Sequence, residues 1–332
     1  MCSFALGDTL LFSSALQGIR AHFPTQQLIF FCGPQNKAAA ELLTGIDAMV
    51  SINILKPRYT IRRMREQKLD LLLDFSAWQR LTAFYSLLSG ARFTAGFRTP
   101  GQYRHRGYDR TAPHSPDLHE VDNFRSLLQA MGITERHAPA LLPPAVPEPA
   151  LLARGRQIVV FHLWPSGVRS FLREWPLDRW IALAHELKKL VGSDVLFVIT
   201  GAPSNLERCE AFCRQIQADG LESEVFIGRD GLGALCQILL HARLVVSVNT
   251  GIMHLAAILG APTISLNGPN RNGRWGPVGS QAVGIESPGT GCGYLHLGFE
   301  HGDLTAGCME RISVEMVCTV AADLLAAQPI PK

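Results

Sequence analysis

The residues best suited to chemistry in this chain sit where apolar runs give out. In VVSVNTGIMHLAAILGAPTISLNGP, residues 245–269, a β-branched run ends around Ser247. Asn249, Thr250 and Gly251 then form a polar corner before a small apolar helical segment with His254 in its first turn. A helix start offers backbone N–H groups without intrahelical acceptors and the positive end of the helix dipole, so such a corner suits an anion. Gly251 allows a phosphate to approach the main chain and Thr250 adds a hydroxyl donor. His254 reads either as a ligand contact or as a satisfied core histidine.

Four further groups follow the same rule. In GDTLLFSSALQGIRAHFP, Gly7-Asp8-Thr9 is expected to precede a helix that buries Leu10, Leu11, Ala15, Leu16 and Ile19. Asp8 or Thr9 caps that helix, or Asp8 presents a carboxylate as a general base. In FHLWPSGVRSFLREWPLDRW, Ser166, Arg169 and Arg173 make a loop fit for a pyrophosphate, because guanidinium forks match phosphate oxygens and stay charged; a solvated basic loop is the plainer reading. In TGAPSNLERCEAF, Asn205 and Glu207 reach a ribose hydroxyl, or Ser204 and Asn205 merely cap a helix. The run GFRTPGQYRHRGYDR carries Arg98, Arg104, Arg106 and Arg110, either a solvated face or a site for an anionic acceptor or a phosphate-bearing membrane surface.

What must position these groups is a set of strands, since each follows a short apolar run. LDLLLDFS, RQIVVFHLWP, DVLFVITG and RLVVSVNTG alternate with amphipathic stretches such as LDRWIALAHELKKLVG. Continuous apolar runs between helices read as parallel strands buried on both faces, so the fold class is α/β in two halves. The prolines of APALLPPAVPEPA suit neither helix nor central strand. The expected organisation is a first domain at 1–140, a linker at 141–156 and a second domain at 157–332.

Composition removes several classes. With 332 residues, 47% hydrophobic and 18% charged, the chain is globular rather than disordered. A net charge of +3 is too mild to make nucleic acid the main partner. The eight cysteines are scattered without a Cys-x-x-Cys pair, which reads as reduced, cytoplasmic usage. Cys209 and Cys213 lack a further partner at ligand spacing, so no metal site is expected. No window approaches the roughly 18 apolar residues of a membrane span. The start, MCSFALGDTLLF, lacks a basic region and cleavage site and leaves room for only a shortened first strand.

Three stretches in order, GDTLLFSSALQGIRAHFP, REWPLDRWIALA and LVVSVNTGIMHLAAILGAPTISLNGP, resemble glycosyltransferase family 9, the ADP-heptose:lipopolysaccharide heptosyltransferases, along nearly the whole chain. The resemblance implies a GT-B fold, two Rossmann-like doubly wound parallel-sheet domains facing across a cleft. The acceptor belongs to the first and the nucleotide-sugar donor to the second, with SVEMVCTVAADLLAA as a terminal helix that crosses back. It further implies inverting, metal-independent transfer of heptose or a related sugar from an ADP-sugar to a lipopolysaccharide core or related glycan, with no cofactor. The acceptor would be an anionic glycolipid, and the protein cytoplasmic and peripheral to the inner face of the cytoplasmic membrane.

Carried over by position, Asp8 is the base. Ser166, Arg173, Asn205, Asn249, Thr250, Gly251 and His254 belong to the donor site. Arg98, Arg104 and Arg106 are assigned to the acceptor from the basic run. Asn249 stands where the family motif has Asp, losing a charge while keeping a helix-capping side chain; Asn205 lies near an often acidic, ribose-contacting position. The rival readings are a UDP-sugar transferase, a nucleotide-sugar epimerase, or a non-catalytic glycan-binding relative.

Overall fold

Strands that are apolar at every position need helices on both sides of their sheet. The computed structural model, which describes residues 1, 5–167, 169–228, 231–297, 300 and 307–327, meets that need in two compact units, Met1–Leu142 and Pro143–Lys332. The division falls inside the proline-rich stretch.

The first unit runs α1 (Leu6–His22), β1 (Ile29–Cys32), α2 (Lys37–Ala40), β2 (Ala48–Ser51), α3 (Pro57–Arg65), β3 (Leu71–Asp74), α4 (Arg80–Leu88), β4 (Phe93–Arg98), β5 (Arg110–Pro113) and α5 (Glu120–Ala130). Its strands are all parallel but form two sheets, β1-β2 and β3-β4-β5. Helix α1 packs with α2 and α5, while α4 packs with α3 and with the 3₁₀ turn Arg104–Gly107.

Among the described residues no strand precedes α1. Instead the Met1 ammonium donates to the Leu73 carbonyl at 2.5 Å, and Phe75 N–H donates to Met1 O at 3.1 Å. Between β1 and β3 lies a cavity of about 360 Å³ lined by apolar side chains that include Phe12, Leu16, Phe30 and Leu72.

The second unit runs β6 (Gln157–His162), α6 (Leu177–Val191), β7 (Val195–Thr200), α7 (Leu206–Ala218), β8 (Ser223–Phe226), α8 (Gly233–Leu240), β9 (Ala242–Val248), α9 (Gly251–Ile258), β10 (Thr263–Asn267), α10 (Asn272–Trp275), β11 (Ala282–Glu286) and α11 (Val314–Ala326). Six parallel strands form one sheet in the order β11-β10-β9-β6-β7-β8. Its core gathers Phe161, Phe197, Trp175 and Trp180, with Phe161 and Trp180 ring centroids 4.9 Å apart. The terminal helix α11 packs on α6 and on β9, β10 and β11. Arg243 fixes its end by donating to the Leu325 carbonyl at 3.2 Å.

The expectation of wholly reduced cysteines is corrected at one pair. Cys292 and Cys308 form a disulfide with their Cα atoms 5.7 Å apart. Sequence spacing hid it, because bridging distance across a loop depends on how the loop folds back. Cys32, Cys209, Cys213, Cys236 and Cys318 are free, and burial pushes the thiol of Cys209 up to about 11 and that of Cys236 up to about 12. Such thiols behave as apolar packing groups rather than nucleophiles.

Candidate functional site

In an open parallel sheet, ligands bind at the carboxyl ends of the strands where the chain order reverses. In the second unit that point lies between β6, from which the chain proceeds to β7 and β8, and β9, from which it proceeds to β10 and β11. The two strands pair with His162 opposite Ser247. Consequently the loop after His162 and the corner after Val248 leave the sheet side by side.

Arg173 joins them. Its Nη2 donates to the Ser166 carbonyl at 2.7 Å and its Nη1 to the Asn249 carbonyl at 3.4 Å. The guanidinium is partly enclosed, and burial pulls its pKa below the ordinary arginine value. It remains a cation at any ordinary pH. Gly167, with φ at +101°, makes the turn that brings the Ser166 carbonyl to Arg173. Glu174 faces another way, forming a two-point ion pair with Arg208 of α7, whose guanidinium lies 4.9 Å from the Trp164 ring centroid.

At the head of α9, Thr250 is the cap, accepting from Met253 N–H at 3.4 Å. The N–H groups of Gly251 and Ile252 precede the helix's own hydrogen-bond ladder, next to the Arg173 cation. The expectation that Asn249 caps this helix is overturned. Its side chain is buried and turned inward, donating to Asn267 Oδ1 at 3.0 Å and to the Trp275 carbonyl at 2.8 Å. Asn267 in turn donates to Asn272, and Asn272 to the Gly284 carbonyl at 2.7 Å. Both acceptors of Asn249 require a donor, which a carboxylate is not.

His254 is buried in the first turn of α9. Asn205 stands at the start of α7, at the end of the β7 loop, and makes no side-chain cap. His162, quoted with its loop but left out of the candidate set, is also buried at the sheet's carboxyl edge. Thr200 Oγ1 gives its proton to the Phe161 carbonyl, so His162 Nδ1–H donates to Thr200 at 2.9 Å. Burial lowers the pKa of His162 to about 4, leaving a neutral imidazole beneath the Arg173 loop.

In the first unit, Asp8 is half-buried within the first turn of α1, not ahead of it. The helix starts earlier than expected: Ala5 is the N-cap, with no side-chain capping bond, and Thr9 donates its hydroxyl to Ala5 O at 3.1 Å. The helix's positive end favours a carboxylate there. Arg98 ends β4 and is exposed, as is Arg106, 5.4 Å from the Tyr103 ring centroid.

Arg104 is a correction, because it cannot meet an acceptor. It is fully buried, donating to Asp74 at 3.0 Å, Thr82 at 2.9 Å and the Gln79 and Ser76 carbonyls. It also donates to the Tyr108 hydroxyl at 2.6 Å, and Tyr108 donates to Asp74 at 2.6 Å. A side chain on Gly96 of β4 would run into the Tyr108 ring at 2.3 Å, so glycine is what admits that ring. A lone basic run carries no mark telling its buried arginine from its exposed ones.

Residues 58–294 match the model of glycosyltransferase family 9 (heptosyltransferase). Lipopolysaccharide heptosyltransferase 1 of Pseudomonas aeruginosa is 28% identical over 236 residues, which are 68% of this chain and 62% of that protein. The matched stretch thus spans about three fifths of that relative's length. The glycosyl transferase family 9 structure from Veillonella parvula superposes with a TM-score of 0.79 at 18% identity, covering 98% of this chain and 97% of that one. The E. coli heptosyltransferase WaaC, solved with ADP, gives 0.68 at 18% identity, covering 98% and 100%. At such identity the likeness is one of fold, the two-unit GT-B architecture.

Proposed function

The chain belongs to glycosyltransferase family 9, and on that premise we propose that it transfers a heptose from ADP-heptose to the core of lipopolysaccharide or a related anionic glycolipid. The observation that carries this reading is Arg173 held between the Ser166 and Asn249 carbonyls at the head of α9. A cation beside helix N–H groups suits a diphosphate, and ADP is the ligand of the E. coli heptosyltransferase of the same fold.

In the proposed reaction an acceptor hydroxyl oxygen attacks the anomeric carbon from the side opposite the diphosphate, so configuration inverts. Asp8 takes the hydroxyl proton as the carbon–oxygen bond to ADP breaks. The negative charge gained by ADP falls on Arg173 and the α9 amides, which are already oriented and need no rearrangement as charge develops. Thr250, Gly251 and His254 complete the diphosphate end, and Asn205 serves the ribose. In this reading Arg98 and Arg106 serve phosphates of the acceptor at the inner face of the cytoplasmic membrane. The scheme draws on protein groups alone, with neither metal nor cofactor.

The test is transfer by Asp8→Asn, which keeps shape and removes basicity. Turnover should fall by about 10²–10⁴, while ADP binding by calorimetry stays unchanged. Undiminished turnover would take Asp8 out of the base role.

A further inference from the structure

Helix α4 presents the wrong residues to solvent. Leu81, Phe84 and Leu87, spaced by three, share one side of the helix, and their exposures are 43%, 49% and 60%. Thr82, Ala83, Tyr85 and Ser86 occupy the buried side. A solvated helix carries polar residues outward, so an apolar outer stripe marks a surface that meets something.

The flanks say what it meets. Helix α3, sequence PRYTIRRMR, packs beside α4, tied by Arg65 Nε donating to the Leu88 carbonyl at 2.9 Å. Arg58 and Arg62 are exposed on it, and Glu66 pairs with both Arg62 and Arg63. On the other flank the 3₁₀ turn packs on α4, with Tyr103 61% exposed beside Arg106. Arg80 spans the gap by donating to the Gly101 carbonyl at 3.0 Å. An apolar stripe with Arg58 and Arg62 on one flank and Arg106 on the other is complementary to a layer with phosphates above hydrocarbon. Arginine and aromatic residues are enriched at protein interfaces too, so a second copy of the chain is the rival occupant that the experiment must dismiss.

We propose that this face of the first unit docks on an anionic phospholipid surface. Leu81, Phe84 and Leu87 enter the lipid interface and the arginines pair with lipid phosphates. This specifies the membrane contact in the transfer reading and rests on it only for biological context.

The experiment is co-sedimentation of the full chain with vesicles of phosphatidylcholine alone or with one-third phosphatidylglycerol. Partitioning should rise about tenfold or more on the anionic vesicles and fall with salt. Phe84→Ser with Leu87→Ser should lose most of it, and Arg58→Glu with Arg62→Glu should erase the anionic preference. Hydrogen-exchange protection of β3, β4 and β5 in all variants should match the parent and certify that the first unit is folded. Equal retention on both vesicles, or no change in either double variant, overturns the proposal. So does light scattering that shows a dimer dispersed by the serine variants, which would make the face a self-association surface. Anionic-vesicle binding without any heptose transfer would support the surface while sinking the transfer reading.

Discussion

Among the described residues, six strands of the second unit share one hydrogen-bonded sheet, whereas five strands of the first are divided between a sheet of two and a sheet of three. Burial of polar groups differs in parallel. The first unit encloses a complete ion pair, Asp74 with Arg104, and a His114–Glu120 hydrogen bond at 3.1 Å, where solvent does not reach. Among the described residues, the second unit holds Arg173 at the carboxyl edge of the sheet with two carbonyls as partners. An arginine satisfied by a carboxylate holds a fold, while one satisfied by carbonyls still has charge to offer an anion. Partner type alone does not set that role, since Arg65 and Arg243 also donate to carbonyls yet tie helices in place; what distinguishes Arg173 is its seat beside the head of α9 at the switch point of the sheet.

The largest expected effect comes from breaking the first unit at its buried charge. Arg104→Met leaves Asp74 facing no cation, a loss of about 3–5 kcal/mol. Hydrogen exchange should then quicken in β3, β4 and β5 while β6, β7 and β9 keep their protection; equal loss in both units would erase the contrast drawn here.

Next comes acid. Because the folded pKa of His162 is about 4 against an ordinary value near 6.5, the unfolded chain binds a proton that the folded chain refuses. Stability is therefore full above about pH 6.5 and is lost as pH falls toward 4, by about 3 kcal/mol at most. Denaturant unfolding across that window should show the slope, and His162→Asn should flatten it. A slope that survives the substitution would assign it to carboxylates instead.

The smallest effect belongs to the amide network. Asn249→Asp sets a carboxylate against Asn267 Oδ1 and the Trp275 carbonyl, costing about 1–3 kcal/mol in the second unit. Thermal unfolding should register that loss, together with weaker ADP binding. Tighter binding at undiminished stability would show that the side chain turns outward after all.

Much of this was readable from sequence, and the limits have physical causes. The central strands of the second unit were legible because β6, β7 and β9 carry continuous apolar runs, IVVF, VLFVI and LVV, and the switch point brought the Arg173 loop and the Asn249 corner together as the motifs suggested. Asn249 was misread because its partners lie 18 and 26 residues further on, beyond any local capping rule. Arg104 was misread because burial is a property of packing, and its run holds exposed arginines of the same type. The start of α1 was misplaced because a helix that begins without a side-chain cap leaves no local signal.

The cavity between β1 and β3 carries a cost for handling the protein. Among the described residues β1 pairs on one side, with β2, so its other edge beside the apolar slot is a template for an extended chain, while the β3 side already bonds Met1 at Leu73 and Phe75. Aggregation on storage or warming is therefore expected to start at the β1 edge of the first unit, while the six-stranded sheet is still intact.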